Sequence, residues 1–268
     1  MEVARHRAIQ LGMEVRDVVD ACVFTVVMGF FIGHVFTVVA YFPERLSEDG
    51  IMSILRVWQG FSSFGGFMGA VLGAIIFFNY IRPRPFWRYA DVVSFGFPFA
   101  WFLGRVGCGV VHDHIGRCTT FPLGMEFPAY RLADGSVAQA CVRHELGLYE
   151  AAFMVAVAGA FWSLGRVDRP PGFFTGVFAV VYAPVRFGLD FLRNNDLDHQ
   201  DVRYFNLTPA QWGCFVMLGL GVWVLSRIDW KGFQPWPMDG LPDQELRAKG
   251  LPVPTPAPEP PGAGGANA

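Results

Sequence analysis

One short stretch of the chain combines residue types that could bind an anion and move a proton. An apolar segment that begins at Phe99 contains Arg105, and the segment ends in three consecutive polar residues, His112, Asp113 and His114. An arginine inside a hydrophobic segment is costly, and such residues mark binding or catalytic sites. We therefore take this stretch as the centre of a candidate site.

A second set of polar residues follows helical spacing in a later apolar segment. Tyr182, Arg186, Asp190 and Arg193 are separated by four, four and three residues, which places them within roughly 80° of one helix face. Charged residues on such a stripe face a bundle interior or a wet cavity. One alternative is a structural ion pair between Asp190 and Arg186 or Arg193, and another is that Arg193 alone reaches the membrane surface.

The two arginines together predict a site for a phosphate group. Arg105 and Arg186 fall in the outward half of their segments, and guanidinium groups bind phosphate through paired hydrogen bonds. A lipid phosphate is the anion available in a membrane, so the residues alone suggest a phospholipid headgroup site.

The run from His112 to His114 allows three interpretations. It can supply a general base with an acid that orients it, it can bind a metal, or it can be a solvated helix end. Of the other polar residues, His34 is expected to be a packed histidine with satisfied hydrogen bonds. Glu145 is expected from the helix dipole alone, because acids favour a first helical turn.

Composition predicts an all-α polytopic membrane protein with about six transmembrane helices. The 268 residues are 53% hydrophobic and only 16% charged, whereas an ordinary soluble domain carries about 25% charged residues. Residues 1–17 form a polar N-terminal segment, residues 18–230 the transmembrane domain, and residues 231–268 a Pro-rich disordered tail. A small cap, with turns and a hairpin, is expected at 112–143. The expected spans are 18–41, 61–80, 91–111, 145–164, 173–192 and 208–225.

The distribution of positive charge predicts the orientation. Most arginines outside the spans lie at the termini and in the two short loops near residues 82–88 and 165–172, so both termini are expected in the cytoplasm. The cap then faces the periplasm of a bacterium. A disulfide between Cys118 and Cys141 is one possibility there, because disulfides persist on the oxidising side.

Four motifs, in order, resemble the prolipoprotein diacylglyceryl transferase family. Two of them keep the family's spacing. The motifs are Trp58-x-Gly60 with Ser62 to Gly66, Gly104-Arg105-Val106-Gly107 with Asp113 and Gly116, His144 with Leu148-Tyr149-Glu150, and Tyr182 with Arg186, Asp190 and Arg193. The resemblance covers roughly residues 5–225.

The resemblance implies an inner-membrane enzyme that acts on phosphatidylglycerol. The family moves the diacylglyceryl group to the thiol of the lipobox cysteine in prolipoprotein signal peptides, and it needs no cofactor, metal or nucleic acid. Arg105 and Arg186 would hold the lipid, with Asp113, His112 and His114 as the other catalytic candidates. The remaining substrate-binding set that the resemblance implies is Tyr182, Asp190, Arg193, Tyr149, Gly65, Gly66, Gly107 and Gly116.

The chain departs from the family pattern at several positions. Phe64 stands where the family has a histidine, Cys108 replaces an asparagine, Asp113 replaces a glutamate and Gly147 replaces a glutamine. The segment around Arg5 resembles the part that follows the family's first span. We expect His112 or His114, with Asp113 as its partner, to replace the histidine. Two alternatives stay open, a paralogue that transfers another lipid group and a non-catalytic phospholipid-binding protein.

Overall fold

Six long helices form the body of the protein. The computed structural model describes residues 1–58, 60, 62–197 and 202–233. Within these residues, six helical segments of 18 to 27 residues are long and apolar enough to cross a membrane, whose core needs about 20 residues. The predicted fold class, a polytopic all-α membrane protein, is confirmed. In chain order the helices are α1 (Glu2–Gln10), α2 (Val15–Phe36), α3 (Pro43–Asp49), α4 (Ile51–Leu55), α5 (Ser63–Ile76), α6 (Phe86–Val111), α7 (Leu146–Leu164), α8 (Phe173–Asp190) and α9 (Pro209–Ser226).

The helix ends differ from the expected spans by a few residues. Helix α2 begins at Val15 because the Glu14 side chain accepts a hydrogen bond from the Arg16 backbone and caps the helix. Helix α6 begins at Phe86, and Asp91 lies inside it rather than at its start. The Asp91 carboxylate accepts hydrogen bonds from Thr175 near the start of α8, which suits an acid at a helix N-terminus. Most of the expected tail, residues 234–268, lies outside the described residues.

The N-terminal segment is packed against the helical body. The first helix, α1, contacts α6 where Ala4 meets Gly96, so closely that a Cβ atom on Gly96 would lie 3.1 Å from that of Ala4. Arg7 is buried and donates a hydrogen bond to the Gly165 carbonyl at 2.6 Å. At the same end of the molecule, the buried carboxylate of Asp17 binds Arg82 and Arg84. Some of the arginines that predict the orientation therefore also hold the helices together.

Helices α2 and α5 pack through glycines. A Cβ atom on Gly69 would lie 2.5 Å from the Met28 carbonyl oxygen, and one on Gly65 would lie 2.5 Å from the Phe36 side chain. Small residues allow this close approach of backbones in lipid. Each of the two helices continues into a π-helical turn, Thr37–Tyr41 after α2 and Phe77–Ile81 after α5.

The segment between α6 and α7 forms a small β-structured cap. Its strands are β1 (Ile115–Cys118), β2 (Met125–Phe127), β3 (Tyr130–Arg131), β4 (Val137–Ala138) and β5 (Cys141–Glu145). They form a three-stranded antiparallel sheet in the order β1-β5-β2 and a separate β3-β4 hairpin. The disulfide between Cys118 and Cys141, one possibility from the sequence, is present. The strands extend to Glu145, so α7 starts one residue later than expected.

A buried arginine fixes the cap to the chain that follows α8. Arg143 of β5 is 2% exposed and binds both carboxylate oxygens of Asp196, at 2.8 and 2.6 Å. Gly116 and Arg193 face each other in an isolated antiparallel bridge, in which the Arg117 backbone donates to the Leu192 carbonyl. The Asn194 side chain donates to the Ile115 carbonyl. The cap therefore has a fixed position relative to the last turn of α8.

We expect acid to loosen this contact. The hydrogen bond from Arg143 lowers the pKa of the Asp196 carboxyl. A carboxyl group whose pKa is lower in the folded state than in the unfolded state stabilises the fold at pH values above its unfolded pKa of about 3.9. This contribution is lost as the pH falls through the folded-state pKa. Limited proteolysis of the cap should therefore accelerate below about pH 4. The Asp196→Asn variant should be cut faster at neutral pH and lose that part of the pH dependence; an identical profile in both proteins would contradict the prediction.

Candidate functional site

The arginine of α6 lies in a buried polar cluster shared by α6, α7 and α8. Arg105 is 2% exposed and lies six residues before the end of α6, about 9 Å along its axis. Its Nε atom lies 3.1 Å from the Glu150 carboxylate of α7. The same carboxylate accepts hydrogen bonds from the Tyr182 hydroxyl at 2.6 Å and the Trp101 indole at 2.7 Å. The carboxylate of Glu150 thus connects three of the helices.

Glu150 and Trp101 belong to the cluster without having been predicted as site residues. Glu150 is the last residue of one of the family motifs and is the fifth residue of the spanning helix α7. An acid at that depth is expected to have a partner in the bundle interior, and this was the signal that could have identified it. No comparable signal marks Trp101, because aromatic residues are frequent throughout this chain.

Arg105 keeps hydrogen-bonding capacity for an additional group. Its guanidinium lies 4.5 Å from the centre of the Trp101 ring, and its Nη1 atom lies 3.0 Å from Nε2 of His114. Its Nη2 atom is buried and has no hydrogen-bonding partner among the residues that the structure describes. Unpaired buried donors are rare and call for an explanation, and an anion such as a phosphate would satisfy this one.

The second predicted cluster is also formed. Arg186 lies 3.1 Å from the Asp190 carboxylate, and Arg193 lies 4.0 Å from it. Asp190 is 1% exposed and also accepts a hydrogen bond from Thr208. Thr208 caps α9 together with Gln211, as the sequence predicts for this helix start. The ion pair between Asp190 and Arg186, one of the alternatives open from the sequence, is present within α8. The hydrogen bond from Thr208 to Asp190 joins the end of α8 to the start of α9.

Arg186 also lines a mostly apolar cavity between α5, α6, α8 and α9. A guanidinium at one side of an apolar cavity suits an amphipathic ligand that carries an anionic group. The ring of Phe64 forms part of the wall and lies against Gly213, where a Cβ atom would come within 1.8 Å of it. The residues that line the cavity are Phe64, Phe67, Phe97, Trp101, Tyr182, Arg186, Ala210, Gly213, Cys214 and Met217.

The two histidines that follow α6 point to different partners. His112 ends the helix in the left-handed conformation, with a φ of 53°, and its Nδ1 atom lies 2.9 Å from the Glu145 carboxylate. Glu145 is fully buried and precedes the first residue of α7, a position that favours an acid, and its carboxylate has His112 as an additional partner. His34 is buried between the carbonyls of Gly60 and Ser53, as expected.

His114 is the histidine that joins the Arg105 cluster. Its Nδ1 atom is hydrogen-bonded to the Asp113 carboxylate, and its Nε2 atom faces Arg105. Since the guanidinium can only donate, Nε2 accepts and Nδ1 carries the proton that is donated to Asp113. Burial raises the pKa of the Asp113 carboxyl, but the hydrogen bond from His114, together with the positive charge of Arg105, outweighs burial and leaves the pKa below its ordinary value.

The glycines and Tyr149 that were expected to approach lipid divide into two groups. Gly107 faces open space, since no described atom lies within 4 Å of a Cβ built on it. Gly66 is also roomy, and its nearest neighbour lies at 3.6 Å. The other two glycines have no such space. Gly65 is needed for the packing of α2 on α5, and a Cβ atom on Gly116 would lie 2.6 Å from the Leu192 carbonyl oxygen. The Tyr149 hydroxyl bonds His144 and the Leu123 carbonyl of the cap.

Comparison with known proteins identifies the family. The family model described as prolipoprotein diacylglyceryl transferase matches residues 1–227. The chain belongs to the prolipoprotein diacylglyceryl transferase family. Curated relatives named phosphatidylglycerol–prolipoprotein diacylglyceryl transferase include one from Nitratidesulfovibrio vulgaris (Miyazaki F), 33% identical over 84% of this chain and 83% of the relative. Another, from Solidesulfovibrio magneticus, is 32% identical over 84% of this chain and 83% of the relative.

Membership in the prolipoprotein diacylglyceryl transferase family confirms the resemblance that the motifs indicated. Two of the positions at which the chain departs from the family motifs lie near the arginines. Phe64, where the family motif has a histidine, forms the wall of the cavity that Arg186 lines. Cys108, where the motif has an asparagine, has its sulfur 3.8 Å from Nη1 of Arg105. Both departures therefore lie at the site itself.

Proposed function

We propose that the protein transfers the diacylglyceryl group of phosphatidylglycerol to the lipobox cysteine of prolipoproteins. The observation that carries the proposal is the buried guanidinium of Arg105, whose Nη2 atom is unpaired among the described residues. In a member of this family, that donor is available for a lipid phosphate. The curated relatives are named for this reaction.

The reaction is a displacement at carbon. The cysteine thiolate attacks the glycerol carbon that carries the phosphate ester, a C–S bond forms and the C–O bond to the phosphate breaks. Glycerol phosphate leaves with the electron pair of that bond, and the thiol proton passes to a base. The protein must therefore stabilise the charge that develops on the leaving phosphate and accept one proton.

Arg105 and Arg186 are proposed to stabilise the phosphate. Both guanidinium groups are buried, and electrostatic stabilisation is stronger in a site that excludes water. The apolar wall of Phe67, Phe97 and Met217 would lie beside the apolar part of the lipid next to its phosphate. Tyr182 orients the Glu150 carboxylate, and Asp190 keeps Arg186 in position. Arg193, through its backbone pairing with Gly116, connects this helix end to the cap.

His114 is proposed as the base that replaces the family histidine. Asp113 orients its ring, and the Nε2 lone pair is the atom that accepts a proton. In the structure this lone pair faces a donor of Arg105. When a lipid phosphate takes the Arg105 hydrogen bond, Nε2 becomes free to accept the thiol proton. His112 is the weaker candidate because its Nδ1 atom is held by Glu145.

The site is proposed to open on the periplasmic side of the bacterial inner membrane, with both termini in the cytoplasm. A topology reporter fused after Trp230 should then report a cytoplasmic location. The same reporter inserted near Asp134 should report a periplasmic location. The arginine asymmetry and the cap disulfide support this orientation. A cytoplasmic signal from the Asp134 insertion would contradict it, and the uninterrupted chain carrying the Trp230 fusion serves as the expression control.

The transfer reaction is tested directly with purified protein. Labelled phosphatidylglycerol and a peptide with a lipobox cysteine should yield a thioether product and free glycerol phosphate. A matched peptide with serine in place of the cysteine should give none. Restored lipoprotein modification in cells depleted of their own transferase is the corresponding test in vivo.

A second candidate function is phospholipid binding without transfer. The observation that favours it is Phe64, which has no group able to accept a proton at the position of the family histidine. Tight phosphatidylglycerol binding with no product from any lipobox peptide would support this function and contradict transfer. A product formed with another lipid donor would instead support the paralogue.

A further inference from the structure

The end of α6 brings a thiol, a carboxylate and an imidazole together. Ligand atoms of Cys108, Asp113 and His114 all lie within 4.8 Å of one another. The left-handed conformation of His112 reverses the chain, and the Asp113 backbone donates to the Cys108 carbonyl at 3.4 Å. The two residues after the turn are therefore folded back beside the last helical turn.

We propose that Cys108, Asp113 and His114 bind a divalent cation that prefers sulfur and nitrogen ligands, such as Zn²⁺. Zinc takes thiolate, imidazole and carboxylate ligands at about 2.0–2.3 Å, so ligand atoms of one tetrahedral ion are roughly 3.3–3.7 Å apart. Small side-chain rotations would bring the three atoms to these distances. A water molecule would complete the coordination, as in sites with three protein ligands.

The charges around the cluster are compatible with a cation. The carboxylate of Asp113 and the thiolate of Cys108 contribute two negative charges, with the thiol proton released to solvent on binding. The positive charge of Arg105 is opposed by Glu150 at 3.1 Å. The Asp113 side chain is 46% exposed and that of His114 is 14% exposed, so an ion can enter from water.

Ion binding changes the role of His114. In the structure, Nδ1 donates to Asp113 and Nε2 accepts from Arg105. An ion on Nδ1 moves the ring proton to Nε2, where it faces a guanidinium donor. The ion and the Arg105–His114 hydrogen bond therefore exclude each other, and the loaded ring cannot accept a thiol proton. This consequence rests on the proposed function, whereas the ion site does not.

Cobalt(II) is the probe that tests the site. The purified full-length protein, freed of metal, should bind one Co²⁺ and show the sulfur-to-cobalt charge-transfer band of a thiolate ligand. The band should disappear in Cys108→Ala, and binding should weaken at least about tenfold in His114→Ala and Asp113→Asn, on the scale known for losing groups that support a metal. Cys22→Ser removes another free cysteine and is the matched control, which should bind as the wild type does.

The same titration can overturn the proposal. Cobalt binding without a thiolate band, or full binding by Cys108→Ala, would reject the site, provided that thermal melting shows each variant to be folded. Zn²⁺ should also inhibit transfer by the wild type. Cobalt binding by these ligands without inhibition by Zn²⁺ would retain the site and contradict the exclusion between the ion and the base.

Discussion

Replacing Arg105 or Arg186 by alanine is expected to weaken phosphatidylglycerol binding by about 10- to 150-fold. Hydrogen bonds to charged groups contribute about 1.5–3 kcal/mol each, and every 1.4 kcal/mol is a factor of ten. Lysine at either position should restore binding only in part, because an ammonium group lacks the planar fork that matches a phosphate. The measurement is the dissociation constant for labelled phosphatidylglycerol in detergent or nanodiscs.

The controls for the arginines separate lipid binding from folding. Arg105→Ala removes the guanidinium that pairs with the buried Glu150 carboxylate at 3.1 Å, and breaking a buried pair costs about 3–5 kcal/mol of stability. The double variant Arg105→Gln with Glu150→Gln removes both charges, so it should recover much of the stability while lipid binding stays weak. Arg16→Ala, at a side chain that is 76% exposed, is the matched surface control. Unchanged lipid binding in folded alanine variants would reject the phosphate site.

Replacing His114 by alanine is expected to lower the transfer rate at least about 100-fold, the lower range for loss of a general base. His112→Ala should have a much smaller effect, because His112 bonds the Glu145 carboxylate while His114 joins the Arg105 cluster. Phosphatidylglycerol binding should change little in His114→Ala, so the loss should fall on kcat. The measurement is thioether formation from labelled lipid and a lipobox peptide.

The Phe64→His variant completes this test. If the wild type is inactive and Phe64→His gains transfer activity, the second candidate function is correct. The protein then binds phospholipid at an intact site but lacks the group needed for transfer. If the wild type is active and neither histidine variant loses rate, the assignment of the base is wrong. Asp113→Asn should resemble a weaker form of His114→Ala, because the ring remains but loses the group that orients it.

The sequence by itself determined the membrane-spanning body of this protein. Apolar runs of about 20 residues specify helices because the bilayer leaves a spanning backbone no other way to satisfy its hydrogen bonds. The sequence also predicted the start of α9 at Thr208, because the N-cap hydrogen bond of Thr208 and the fixed backbone angle of Pro209 both concern the first turn of the helix. The stripe of Tyr182, Arg186 and Asp190 followed from helical periodicity alone. Each of these features depends on residues that are neighbours in the chain.

The tertiary structure decided which polar groups meet across helices. Arg105 pairs with Glu150 because of the rotation and depth of α7 relative to α6, and spacing within one helix cannot fix either quantity. His112 and His114 are equivalent in the sequence, yet one left-handed residue sends the first to Glu145 and the second to Arg105. The same turn brings the Cys108 thiol beside the side chains of Asp113 and His114. These contacts join residues that only the packed helices and the cap bring together.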